Sequence, residues 1–159
     1  MTTTISATVD GSTNRVEART DRGAVISMDA DPPDGAGRGP GPKETLLAAL
    51  AGCTGMDVAS ILRKKRQAVG THEIVVHGES AAEHPRVFTT IEVEHRVSGG
   101  VTVEALRRAI ELSATRYCPV NAMLSASATI EHRYRLDVGE GREASALVAV
   151  TGPAGVRVV

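Results

Sequence analysis

From Pro42 to Gln67 the chain carries an apolar run at helical spacing, and this run constrains the fold more than any other segment. Pro42 suits the first turn of a helix, Glu44 complements the positive end of its dipole, and Arg63-Lys-Lys-Arg66 puts positive charge where the last carbonyls point. We read a helix over about 43–67. Leu46, Leu50, Cys53, Asp57 and Ile61 share one stripe, and Leu47, Thr54, Val58 and Leu62 lie beside it. The small residues Ala48, Ala49, Ala51, Gly52 and Gly55 allow another backbone to approach closely. A helix with so wide an apolar face belongs in the middle of a domain, with sheet or helix packed on it.

The flanking segments alternate with period two. Strands are expected over 3–9, 15–20 and 24–28, followed by a loop from Asp31 to Pro42 that is too rich in Gly and Pro for a regular element. After the helix come strands over 72–80 and 87–97, joined through Glu83-His84-Pro85. The second of these puts Ile91, Val93, His95 and Val97 on one face and Glu92, Glu94 and Arg96 on the other. Gly99-Gly100 breaks the chain, and Thr102 caps a second helix with Val103, Leu106, Ile110 and Ala114 inward. Pro119 is hostile inside a helix but welcome at its start, so a short helix is expected over 119–125. A last strand over 128–136 turns Ile130, His132, Tyr134 and Leu136 to one side. This order predicts an α+β domain over residues 1–136, with 137–159 a C-terminal extension of unassigned role.

At 159 residues and 16.6 kDa the chain can bury a substantial core. A net charge of −1 offers no global attraction for nucleic acid, and Phe88, Tyr117 and Tyr134 are too few for base stacking. No run reads as long enough to span a membrane, and the N-terminal residues carry no basic-then-apolar leader, so the expectation is a cytoplasmic protein with reduced thiols.

The two cysteines, Cys53 and Cys118, are the residues best placed for chemistry. With Pro119 as the first helical residue, Cys118 becomes the N-cap, where unsatisfied N–H groups favour the thiolate. The alternative is a buried cysteine beside a helix break. Cys53 lies too far along its helix for the dipole to help, and Asp57 one turn on opposes a negative charge there. An activating cation would have to come from elsewhere: Arg15, Arg19 or Arg38. His72, His77, His84, His95 and His132 form no local ligand motif, so no metal site is predicted, and His95 and His132 are expected as hydrogen-bonded core residues. No nucleophile elbow and no phosphate-binding fingerprint is present.

Together, the two cysteine frames resemble the OsmC/Ohr family of thiol-dependent hydroperoxide reductases. The segment from Gly41 to Leu62 is similar to the family's first cysteine helix, with a Gly-Cys-Thr-x-x-Asp-Val form closest to the YhfA-like branch. Tyr117-Cys-Pro-Val-Asn121 resembles the second cysteine site. The resemblance covers roughly residues 3–136. It implies an OsmC-like fold of antiparallel sheets with two main helices, the cysteine-bearing one central, in an intertwined homodimer. It also implies that Cys53 is the peroxidatic thiolate and Cys118 the resolving thiol.

Peroxide-reducing members pair the reactive cysteine with an arginine from the N-terminal strands, held by a glutamate near the start of the cysteine helix. Glu44 matches the glutamate. Thr13 stands at the arginine's place, with Arg15 two residues on and on the same strand face. The implied partners are an organic hydroperoxide and an external dithiol reductant, with no cofactor, nucleic acid or membrane. Two other classes stay open: a non-catalytic dimer of this fold binding a small apolar or thiol ligand, and a thiol redox sensor.

Overall fold

The computed structural model describes residues 2–159, which divide into two compact units, one reaching to Leu46 and the other covering Leu47–Val159. The first is built on an antiparallel sheet in the order β1 (Ile5–Val9), β2 (Val16–Thr20), β3 (Val25–Met28). These strands are exposed along most of their length; Ala18 is their one buried residue. The Gly/Pro loop that follows is organised by Asp29, whose carboxylate accepts the backbone N–H groups of Ala30 and Arg38 at 2.9 and 3.0 Å. These bonds, Arg38 foremost, hold the Asp29 carboxyl below its ordinary range. Gly35 is required there, since a Cβ would lie 2.2 Å from the Ala30 carbonyl oxygen.

Helix α1 (Pro42–Lys64) begins in the first unit and runs into the second. Its start is a capping box, with the Glu44 carboxylate accepting the Gly41 N–H at 2.7 Å and the Thr45 hydroxyl donating to the Gly41 carbonyl at 3.0 Å. The buried stripe is Leu50, Thr54, Val58 and Leu62; Cys53, Asp57 and Ile61 are only partly covered. The helix is therefore rotated toward the second of the two stripes seen in the sequence. Gly55 allows this, because a Cβ there would meet the Ile74 side chain at 2.6 Å. By length and composition α1 could also cross a membrane, contrary to the expectation that no run is long enough. Its fully buried Leu50, Val58 and Leu62 belong to the core clusters of the second unit.

That unit is a five-stranded sheet in sequence order, β4 (Ala68–Ser80), β5 (Phe88–Gly100), β6 (Thr129–Gly139), β7 (Arg142–Gly152) and β8 (Gly155–Val158). Neighbours are antiparallel except β5 and β6, which run parallel. A parallel pair needs a crossover, and here it is helical: α2 (Val103–Leu112), a π-helical turn (Ser113–Tyr117) and α3 (Pro119–Leu124). Thr102 caps α2 as expected, accepting the Ala105 N–H at 3.2 Å. The predicted inward residues of β5 and β6 pair in register, Ile91 with Ile130, Val93 with His132, His95 with Tyr134 and Val97 with Leu136. All eight are buried. The opposite face carries cross-strand ion pairs, among them Arg133–Glu92 at 3.1 Å and Arg135–Glu94 at 3.4 Å.

The boundary read at 136/137 from sequence does not mark a structural break. Residues 142–158 are β7 and β8, β7 pairs with β6 along most of its length, and Val148, Ala149 and Thr151 are buried. A chain ending at Leu136 is expected to lose cooperative thermal unfolding by circular dichroism; a fragment melting like the full chain would contradict this role for β7.

Both core histidines are hydrogen-bonded. His132 Nε2 lies 2.8 Å from Asn121 Oδ1, and His95 Nε2 lies 3.3 Å from the Thr54 hydroxyl. Burial lowers the His132 pKa to about 4 and pushes that of His95 well down, helped by His72 and His132. Below pH 6.5 the unfolded chain therefore binds protons that these folded imidazoles refuse. Folding stability, full above that pH, should fall as the pH drops toward 4, by up to about 1.4 kcal/mol per pH unit for each histidine. Urea unfolding at pH 7.5, 6 and 5 measures this slope; a flat line would refute it.

Candidate active site

The crossover brings the two cysteines together. In the π-helical turn the Cys118 N–H bonds the Ser113 carbonyl at 3.0 Å. Pro119 cannot continue it, having no N–H to donate, and Cys118 takes an extended conformation as a residue before proline should. Cys118 is thus the N-cap of α3, as the sequence predicted, and its sulfur accepts the Asn121 N–H at 3.3 Å. It belongs to a buried cluster with Leu50, Ile91, Val93, Ala128 and Ile130, and Cys53 packs against that cluster from α1. Both thiols are free, Cys118 buried and Cys53 partly exposed. One donor atom each from Cys53, Cys118 and Asp57 falls within 4.8 Å of the others.

Of the two readings open for Cys118, an activated cap thiol and a buried cysteine beside a helix break, the structure supports the second. Burial pushes the thiol up to about 12; the hydrogen bond with Cys53 adds to the rise, and the Asn121 N–H opposes it only in part. The cap is present, but the apolar cluster outweighs it.

Asn121 anchors this corner. Its side-chain N–H₂ donates to the Ala114 carbonyl at 2.7 Å, so its oxygen accepts from His132 and, at 3.3 Å, from the Thr151 hydroxyl. One residue thereby ties the cysteine turn to β6 and β7. Ser113 and Thr54 are also members of the site that the sequence did not single out. The Ser113 hydroxyl lies 3.0 Å from Asp57 Oδ2 and 3.1 Å from Thr54 Oγ1. The signals were there, Asn121 at the third position of a helix opening on Cys-Pro and Thr54 on the inward stripe, but their partners are distant in sequence. Beside Asp57 a cavity of about 490 Å³ is lined by Ser60, Ile61, Lys64, Leu112 and Tyr117.

The other candidates lie in the first unit. Arg15 and Arg19 flank Glu17, at 3.9 and 3.1 Å, and Arg38 belongs to the Asp29 loop. Glu44 closes the α1 capping box. Cys53, Asp57 and Cys118 could also offer three ligands to a thiophilic cation, a set that only the fold assembles. A closed tetrahedral site takes four, and among the described residues no further His, Cys, Asp or Glu joins them.

Residues 35–133, more than half of the chain, match the family model described as OsmC-like protein. Protein YhfA of Escherichia coli K12 is 40% identical over 115 residues, 72% of this chain and 84% of that protein, in agreement with the branch expected from the cysteine helix. A hypothetical protein from Aquifex aeolicus VF5 shares 28% identity with a TM-score of 0.76, covering 86% of this chain and 97% of the other. An organic hydroperoxide resistance protein from Elizabethkingia anophelis, 16% identical, covers 87% and 97% with a TM-score of 0.63, a likeness of fold alone. With its fold, its cysteine frames and these matches in agreement, the chain belongs to the OsmC-like protein family.

Proposed function

We propose that the protein is a cysteine-based peroxidase that reduces organic hydroperoxides. The observation that carries this reading is the placement of two free thiols within 4.8 Å of each other, one partly exposed and one buried. That asymmetry divides the labour. The Cys53 thiolate attacks the outer peroxide oxygen, the O–O bond breaks, and the alkoxide takes a proton to leave as alcohol, with Cys53 as sulfenic acid. Cys118 then attacks the Cys53 sulfur, the S–O bond breaks, and water leaves as the disulfide forms. An external dithiol restores both thiols by exchange. The apolar cluster around Cys118 favours organic hydroperoxides over hydrogen peroxide. Resistance to organic hydroperoxides, named for the Elizabethkingia structure, fits this chemistry.

In this reading Arg15 stabilises the Cys53 thiolate and Glu44 holds that arginine. The enzyme works in the cytoplasm, and it is a homodimer. Exposed Ile5, Val9, Val25 and Ile26 on the first sheet are apolar surface that a second copy would cover.

Mass spectrometry after one equivalent of cumene hydroperoxide, with stopped-flow loss of the peroxide, tests the chemistry. Wild-type protein should form a Cys53–Cys118 disulfide stoichiometrically. Cys53→Ser should abolish turnover, and Cys118→Ser should consume one equivalent and accumulate sulfenic acid. Thiols still free after minutes would end the proposal. Arg15→Ala should slow the first step by at least tenfold; a slowing confined to Arg19→Ala or Arg38→Ala would assign the cation elsewhere. Light scattering should give twice the 16.6 kDa chain mass, and a monomer would remove the dimer from the reading.

A further inference from the structure

Behind Asp57 a line of hydrogen bonds crosses the core. Asp57 Oδ2 is 3.0 Å from the Ser113 hydroxyl, which is 3.1 Å from the Thr54 hydroxyl. Thr54 Oγ1 is 3.3 Å from His95 Nε2, and His95 Nδ1 is 3.0 Å from His72 Nε2. Thr54, His95 and Ser113 are fully buried, and His72 is half-covered at the far end.

With Asp57 ionised, one set of directions satisfies all four bonds. A carboxylate only accepts, so the single Ser113 proton goes to Asp57. In that set the Ser113 proton is committed to Asp57, so Thr54 donates to Ser113 and accepts from His95 Nε2–H. His95, kept neutral by burial, has a bare Nδ1, which accepts from His72. The four bonds then run in series toward Asp57, and the last of them reaches its Oδ2.

We propose that Asp57 accepts the Cys118 proton in the resolving step, and that Ser113, Thr54, His95 and His72 are positioning residues that hold its carboxylate for this purpose. The proposal deepens the peroxidase reading and rests on its thiol exchange. Cys53 is partly exposed and can release its proton to solvent. Cys118 is sealed in an apolar cluster, where the Asn121 N–H can only donate and Asp57 is the carboxylate within reach. The Cys118 S–H proton passes to Asp57, the sulfur lone pair forms the S–S bond, the Cys53 S–O bond breaks, and Asp57 returns the proton to the departing hydroxide as water. Asp57 ends as it began. The titratable groups facing it are Cys53 and Lys64 from its own helix and Cys118 and Tyr117 from the crossover.

The test needs no peroxide. An aromatic disulfide, 5,5′-dithiobis(2-nitrobenzoate), should react at Cys53 and release one thionitrobenzoate; Cys118 then attacks the mixed disulfide and releases a second, both followed at 412 nm. For wild type the second phase should be nearly independent of pH between 6.5 and 8.5. Asp57→Asn should slow it about 100-fold and make it rise about tenfold per pH unit, because bulk hydroxide must then take the proton. The first phase should not slow, because losing the carboxylate removes a charge that opposes the Cys53 thiolate. Thr54→Val and Ser113→Ala keep the carboxylate and should slow the second phase by ~3–10-fold without the steep pH slope; Asp57→Glu should recover part of the rate. A second phase in Asp57→Asn matching wild type in rate and slope would overturn the proposal, as would a wild-type second phase that climbs tenfold per pH unit. If Thr54→Val and Ser113→Ala both match wild type, the positioning chain is refuted. A normal second phase in a protein that fails to consume cumene hydroperoxide would sink the peroxidase reading and leave the role of Asp57 standing.

Discussion

The buried contact between Thr54 on α1 and His95 on β5 sets the site. Both groups are cut off from water, and an unmade hydrogen bond in such a place costs about 1–3 kcal/mol. That penalty selects the rotation of α1 on the sheet, with Gly55 giving the Ile74 side chain room. Once the rotation is fixed, Cys53 faces the crossover and Asp57, one turn further, meets Ser113. The π-helical turn does the same from the other side, with Pro119 halting it so that Cys118 closes against α1.

At Cys118 two effects compete. A helix N-terminus stabilises a negative charge by about 0.3–1 kcal/mol, less than one pKa unit. Burial in the cluster around Leu50, Ile91 and Ile130 is larger and, with the Cys53 contact adding to it, pushes the thiol up to about 12. The outcome suits a resolving role better than an attacking one. Such a thiol stays protonated and inert until an oxidised sulfur stands beside it and a base takes its proton.

The C-terminal strands show how far a site can depend on residues outside its motifs. Thr151 on β7 reaches the Asn121 side chain, and Asn121 in turn holds His132 and the Ala114 carbonyl. The segment after 136, unplaced from its sequence, completes the sheet and fastens the cysteine turn to it.

Much of this was legible in advance. Period-two patterns identified the buried faces of β5 and β6 down to His95 and His132, because a half-buried strand must alternate. The cysteine helix, the Thr102 cap and the Pro119 break followed from local rules that act within a turn or two of chain. Which stripe of α1 turned inward was not legible, since both were apolar and only packing against Ile74 and His95 could choose. Nor were the parallel pairing of β6, the choice between the two readings of Cys118, or the line from Asp57 to His72. Each of these depends on residues brought together from distant parts of the chain, and local sequence rules do not extend across the core.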